Sequence, residues 1–382
     1  MDFESLFDIP IDDLHTPCYL TDARLLQKNT ALLKQIQQRT GCKIVLAQKA
    51  FSMFSAYPLI RDDLAGTTAS GLFEAKLGRE HFGKEVHVFS PAYTQEDFTQ
   101  LLELCDHIVF NSFGQWKKYR QQVQDATRNI SCGIRINPGY AEVETDLYNP
   151  CISGSRMGVP LEQMEDDFAG LDGIHFHTMC EQNSDVLERT LDHMLPQFDK
   201  WLKRCKWVNF GGGHHITRPD YDVERLVRCI ERVRDTYGVQ VYLEPGEAVA
   251  LNAGYLVATV LDVVHNGMDI AILDASAACH MPDVLEMPYR PHILYSGTAG
   301  EKTHTYRLAG NTCLAGDVIG DYSFDHQLQA GEKLVFCDMA IYSMVKNNTF
   351  NGVPLPDIAL YQNGHIDLVK RFGYADFEGR LS

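Results

Sequence analysis

The sequence opens with little that a secretory leader needs: Met1-Asp2-Phe3-Glu4-Ser5 carries acids and no cation, the reverse of a basic, then apolar, signal, so none is expected. No run of roughly 18 apolar residues follows, which argues against a membrane-spanning helix, and the expected location is the cytoplasm. Cations are in short supply: 34 Lys and Arg stand against 51 Asp and Glu, a net charge of -17. A nucleic-acid groove or an anionic membrane surface calls for the opposite sign, so neither is expected as a partner. A cationic substrate would be attracted, although the same balance also serves solubility. There is no CxxC pair, and the eleven cysteines between Cys18 and Cys337 are odd in number. That usage fits reduced, packed thiols better than a disulfide framework or a zinc site. In the cytoplasm the sequons at Asn129 and Asn347 would carry no glycan. Internal repeats, low-complexity tracts and disordered linkers are also missing.

What is present is core-forming material, 45% hydrophobic over 382 residues, enough for a large α/β domain and a smaller partner. Short β-rich runs recur at Lys43–Ala47, Leu64–Ala69, Val86–Phe89, His107–Phe110, Cys132–Ile136, Gly173–His177, Trp207–Phe210 and Val239–Leu243. Between them, Ala23–Gln38, Thr94–Leu104, Ser184–Arg204 and Val223–Tyr237 carry apolar residues at helical spacing. Repeated α/β units over this length predict a (β/α)8 barrel rather than an open sheet. Beyond Glu244 the pattern turns β-rich, with strands expected at Tyr255–Val264, Ile270–Leu273, Leu334–Asp338 and Ile366–Val369. The strand-like Thr16–Leu20 segment is a candidate to join them. The expected division is residues 1–21 with the β domain, 22–250 as the barrel, and 251–382 as the C-terminal β domain.

Barrel active sites gather at the C-terminal ends of the strands, and chemistry-bearing residues fall there. Lys49 follows strand one, Arg135 lies near the end of strand five, His177 ends strand six, Gly211-Gly212-Gly213 follows strand seven and Glu244 follows strand eight. Lys49 is either a rim lysine with a packed stem and wet head or an amine kept for Schiff-base chemistry. The glycine run is either a flexible turn or a phosphate cradle. His175 and His177 share the interior face, as a satisfied pair, a stacking platform or metal ligands. Glu244 needs a partner, either a protonated ring nitrogen or an arginine such as Arg135.

Lysine, histidine, glycine loop and Glu244-Pro245-Gly246, followed by Cys313 and Tyr342, resemble the fold-type III pyridoxal-phosphate enzymes: alanine racemase, ornithine decarboxylase and diaminopimelate decarboxylase. The segments His280–Pro291 (HMPDVLEMPYRP) and Gly310–Asp317 (GNTCLAGD) are similar to those of the carboxynorspermidine decarboxylases within that family. The resemblance implies pyridoxal 5'-phosphate as cofactor, with Lys49 as its Schiff-base lysine, His177 stacked on the ring, Gly211–Gly213 at the phosphate, Glu244 at the pyridine nitrogen and Tyr342 on the phosphate; Arg135 is also expected to bind the cofactor. It further implies a homodimer with active sites at the interface, Cys313 crossing it to reprotonate the product. The substrate implied is a small cationic carboxylated polyamine, carboxynorspermidine and also carboxyspermidine. No metal is expected.

Three positions depart from the family pattern. Glu247 replaces a phosphate-binding arginine and is expected to meet a substrate amine. Leu314 replaces an acidic residue, which leaves Glu247, His280, Asp283 and Glu286 as candidates for substrate binding. Thr67 stands where the family has an aspartate. Other readings remain: another basic amino-acid decarboxylase or a racemase of this fold, a non-catalytic relative, or a metal-dependent hydrolase using His175 and His177.

Overall fold

The computed structural model describes residue 4, residues 7–143 and residues 145–382. Most of the opening pentapeptide, and with it the start of the expected 1–21 segment, lies outside the described residues. The described chain forms two compact units, one comprising Gln27–Val249, the other Ala250–Ser382 together with the chain up to Leu26.

In the first unit eight parallel strands close on themselves: Lys43–Ala47, Gly66–Ala69, Glu85–Phe89, His107–Phe110, Ser131–Asn137, Gly173–His175, Trp207–Asn209 and Gln240–Leu243. The eighth pairs with the first through Tyr242 and Lys43, which completes the barrel. Residues Ile44 to Ala47 are buried without interruption, the pattern of a strand covered on both faces. The outer helices end where local chemistry dictates. Asp222 accepts from the Arg225 N–H to cap Val223–Tyr237, and Gly238, with φ of +66°, closes it. Thr94, expected inside its helix, instead caps Gln95–Leu104 by accepting from the Asp97 N–H. The sixth strand is shorter than expected. Phe176 still donates to the Asn209 carbonyl, but His177 lies past the strand, where the chain meets the glycine loop.

The barrel interior is filled by large side chains standing opposite glycines. Val109, Trp207 and Tyr242 cluster with Phe89, and Trp207 occupies the space beside Gly133 and Gly173. A Cβ at Gly133 would come within 2.7 Å of the indole Cζ2. Gly173→Ala would likewise push into the indole, and we expect it to lower the unfolding free energy by about 1–3 kcal/mol, read as a reduced urea midpoint. An unchanged midpoint would show that Trp207 has room to move.

The second unit is built on a mixed sheet. Its long strand Gly254–His265 pairs antiparallel with Cys18–Asp22, Asp269–Leu273 and Lys333–Cys337. Cys18–Asp22 is also parallel to Asp357–Gln362, so the N-terminal strand sits inside the sheet. Strands His304–Ala309, Val318–Phe324 and Asp357–Gln362 were not expected from the sequence. The first two are only partly buried, and their mixed polar and apolar residues give a weak hydrophobic signal.

Candidate active site

The C-terminal strand ends of the barrel surround a cleft. Five residues expected from the sequence line it: Lys49, Arg135, His177, Gly212 and Glu244. Thr68, Ser70, Phe89 and His175 complete much of the wall.

Lys49 stands in the turn just past the first strand, with its side chain open to the cleft. Its side chain is exposed through the cleft mouth, and its electrostatics set it apart from an ordinary rim lysine. Enclosure by protein, followed by the nearby Arg135 charge, lowers its pKa, while Glu244 and Glu247 act through space in the other direction. A depressed lysine pKa raises the population of neutral, nucleophilic amine.

Glu244 is buried and would by that alone be pushed up, yet His175 and Asn209 outweigh burial and hold it at about 2. His175 Nε2 lies 3.2 Å from Glu244 Oε2, and Asn209 Nδ2 donates to Oε1 at 2.8 Å. Burial depresses the His175 pKa against the pull of Glu244, so His175 is a neutral donor to an ionised acid. Arg135 does not take the role of Glu244's hydrogen-bonding partner. Its guanidinium lies 4.6 Å from the Phe89 ring centroid and reaches the His177 carbonyl oxygen at 3.3 Å. Because the folded pKa of Glu244 is depressed, its stabilisation is present above the unfolded value and disappears as pH falls towards about 2. Glu244→Gln should therefore lower the melting temperature of the cofactor-free protein at neutral pH, by an amount that shrinks in acid. A deficit that grows in acid would contradict an ionised Glu244.

His177 accepts the Gly212 N–H at Nδ1 over 2.9 Å, which places its proton on Nε2. Burial, then the charges of Lys49 and Arg135, push its pKa well below the usual histidine value. The ring is thus a neutral, flat surface. Gly211 and Gly213 hold φ of +69° and +83°, and a Cβ on Gly212 would come within 2.7 Å of the Glu244 carbonyl oxygen. The loop must be glycine to pass this close. Its amides are not simply waiting for a ligand, as the sequence suggested: the Gly211 N–H already donates to Asn209 Oδ1 and the Gly212 N–H to His177. A phosphate would have to compete for them.

Thr67 turns away from the cleft: its Oγ1 faces Gly78 in the helical layer, while Thr68 lines the wall. Strand alternation places the departure from the family pattern where it cannot assist Lys49. Glu247 opens the short Glu247–Ala250 helix, within electrostatic range of Lys49.

The β unit carries the remaining candidates. Cys313 is exposed, and its N–H donates to Asn351 Oδ1 at 2.7 Å. Eight of the other cysteines are buried and two half-buried, and all eleven are free thiols. Tyr342 has a φ of +48° in the turn after the Lys333–Cys337 strand. His280 does not suit substrate binding. It is fully buried, Nδ1 accepts the Ser276 N–H, and Nε2 faces the Pro354 carbonyl at 3.1 Å. Asp283 and Glu286 both hold the Lys346 ammonium, Glu286 at 2.7 Å. Any substrate amine would have to displace that cation.

Asn209, Phe89 and Thr68 were missed in the sequence. A polar residue in the apolar Trp207–Phe210 run was the available signal for Asn209. The metal alternative built on His175 and His177 finds no cluster. Among the described residues, the spacing of metal ligands occurs only at Glu85, His87 and His107. There the two imidazoles stack with centroids 4.1 Å apart and planes 3° from parallel, so their in-plane lone pairs do not converge on one ion.

The cleft therefore suits a flat ligand with an electrophilic carbon for Lys49, a ring cation for Glu244 and a face for His177. Pyridoxal phosphate has all three, which places the chain in the class of pyridoxal-phosphate barrel enzymes. A family model described as "Pyridoxal-dependent decarboxylase, C-terminal sheet domain" matches residues 18–340. The chain belongs to this pyridoxal-dependent decarboxylase family, and it is a carboxy-lyase with pyridoxal phosphate as cofactor. The chain is 41% identical to a carboxynorspermidine/carboxyspermidine decarboxylase of Campylobacter jejuni over 97% of its own length and 99% of that protein. It is likewise 41% identical to a carboxyaminopropylagmatine decarboxylase of Synechocystis over 97% of its length and 96% of the relative. The crystal structure of the carboxynorspermidine decarboxylase from Campylobacter jejuni complexed with norspermidine superposes with a TM-score of 0.90 at 40% identity, covering 96% of this chain and 100% of the other.

Proposed function

We propose that this enzyme decarboxylates carboxynorspermidine and carboxyspermidine to norspermidine and spermidine. The observation that carries the substrate is the near full-length similarity to the Campylobacter jejuni decarboxylase. The acidic balance, -17 overall, suits a polycationic substrate. When bound, pyridoxal phosphate supplies an electron-accepting ring for the pair left behind as the α-carboxylate departs as carbon dioxide.

The residues then divide the work. Lys49 would hold the cofactor covalently through its amine. Glu244, ionised and buried, holds a proton on the ring nitrogen. His177 would give the ring a neutral face, the glycine loop and Tyr342 would accommodate the phosphate, and Arg135 would bind the cofactor near Lys49. Glu247 meets a substrate ammonium. Cys313, from the second subunit of a homodimer, delivers a proton to the carbon that lost carbon dioxide and regains one from solvent.

The equal identity to the Synechocystis enzyme supports a second reading, carboxyaminopropylagmatine, whose distal group is a planar guanidinium rather than an ammonium. Product analysis with purified protein, offering the two carboxylated triamines, carboxyaminopropylagmatine, diaminopimelate and ornithine, separates the readings. The largest kcat/KM is expected for a carboxylated triamine. A preference for the guanidino substrate would select the second reading, and turnover of diaminopimelate or ornithine alone would overturn both.

A further inference from the structure

Asn209 ends the seventh barrel strand and is 1% exposed. Its orientation follows from donor chemistry. A backbone N–H can only donate, so the 2.8 Å contact from the Gly211 N–H puts Oδ1 on the loop side. The Nδ2 end is thereby turned to Glu244 Oε1, also at 2.8 Å. An amide nitrogen is a donor, so Glu244 must accept there, while its other oxygen receives His175 Nε2. One planar amide joins the glycine loop to the buried acid. An aspartate could keep the loop contact but would set two carboxylates face to face.

We propose that Asn209 is a positioning residue that ties the glycine loop to Glu244, so that the placement of the loop and the aim of the carboxylate are set together. This rests on the reading of Glu244 as the partner of the cofactor's ring nitrogen and of the loop as its phosphate cradle. Around Glu244, His175 is in contact from the sixth strand, and His87, Arg135 and Lys49 act through space from the third and fifth strands and the turn after the first. Their charges would be common to every variant below.

The test is an exchange of donor and acceptor in cofactor-free protein, read as melting temperature between about pH 5 and pH 8. Asn209→Asp leaves two acids sharing one proton, so one folded-state pKa rises above its unfolded value. The stability that this proton secures is lost as pH rises through the raised value. The deficit against the parent protein should accordingly widen from low to high pH, by at least about 3 °C. Combining Asn209→Asp with Glu244→Gln restores one donor and one acceptor with their places exchanged, and should remove that pH dependence. A deficit that stays constant with pH, or a double variant no better than Asn209→Asp alone, overturns the proposal. If Asn209→Asp does not fold, recovery of folded protein by the double variant supports the pairing, and its failure to fold as well counts against it. Glu244→Gln alone addresses the underlying reading: kcat should fall by roughly 10²–10³-fold in the loaded enzyme. Unchanged kcat would defeat that reading while leaving the stability exchange intact.

Discussion

Lys49→Ala should yield a folded protein that binds pyridoxal phosphate weakly, lacks the absorbance of the lysine-linked cofactor near the visible edge, and has lost activity by roughly 10⁴-fold or more. The expectation follows from the environment of Lys49. Desolvation by the surrounding protein, then Arg135, depresses its pKa, and its side chain lines the cleft. Because that side chain is open to the cleft instead of packed in a core, its removal should cost little stability. Melting temperature and absorbance must therefore separate: the first nearly unchanged, the second abolished. A variant that keeps the parent spectrum would sink the assignment of Lys49, and one that fails to fold would make it a structural residue.

Cys313→Ala should lower kcat by about 10²–10⁴-fold, the range for a positioned proton donor, with little change in cofactor absorbance. Cys313 is exposed in its own unit, so unfolding free energy should stay within about 0.5 kcal/mol of the parent. The proposed sharing of sites between two subunits makes a sharper forecast. Two inactive proteins, Lys49→Ala and Cys313→Ala, mixed under conditions that exchange subunits, should regain about a quarter of the parent activity. Half of the dimers are then mixed, and each mixed dimer has one complete site of two. No regain in a verified mixed dimer would place Cys313 outside the partner's site.

Much of the barrel was legible because its signals are local. Ile44-Val45-Leu46-Ala47 reads as a strand covered on both faces, and that is how it is buried. Val223–Tyr237 was delimited by its periodicity, and Asp222 and Gly238 close its ends. The exposed strands of the β unit were harder: His304–Ala309 and Val318–Phe324 mix buried and partly exposed residues, so no continuous apolar run announces them. Candidate site residues divided in the same way. Those placed by position at strand ends were found at the cleft. Those selected by residue type in the 280–291 segment met other partners, His280 through burial and Asp283 and Glu286 through Lys346.

By itself the sequence determined the parallel eight-stranded barrel, the location of candidate residues at its strand ends and, through the family resemblance that the lysine, glycine-loop and EPG series carries, the cofactor. Periodicity and strand order are written in the chain and need no knowledge of distant partners. Only the tertiary structure decided which groups are charged and which way they point. Asn209 and His175 approach Glu244 from 35 and 69 residues away, and Gly212 selects the tautomer of His177 across 35 residues. A protonation state depends on neighbours in space, and those neighbours become adjacent only when the barrel closes.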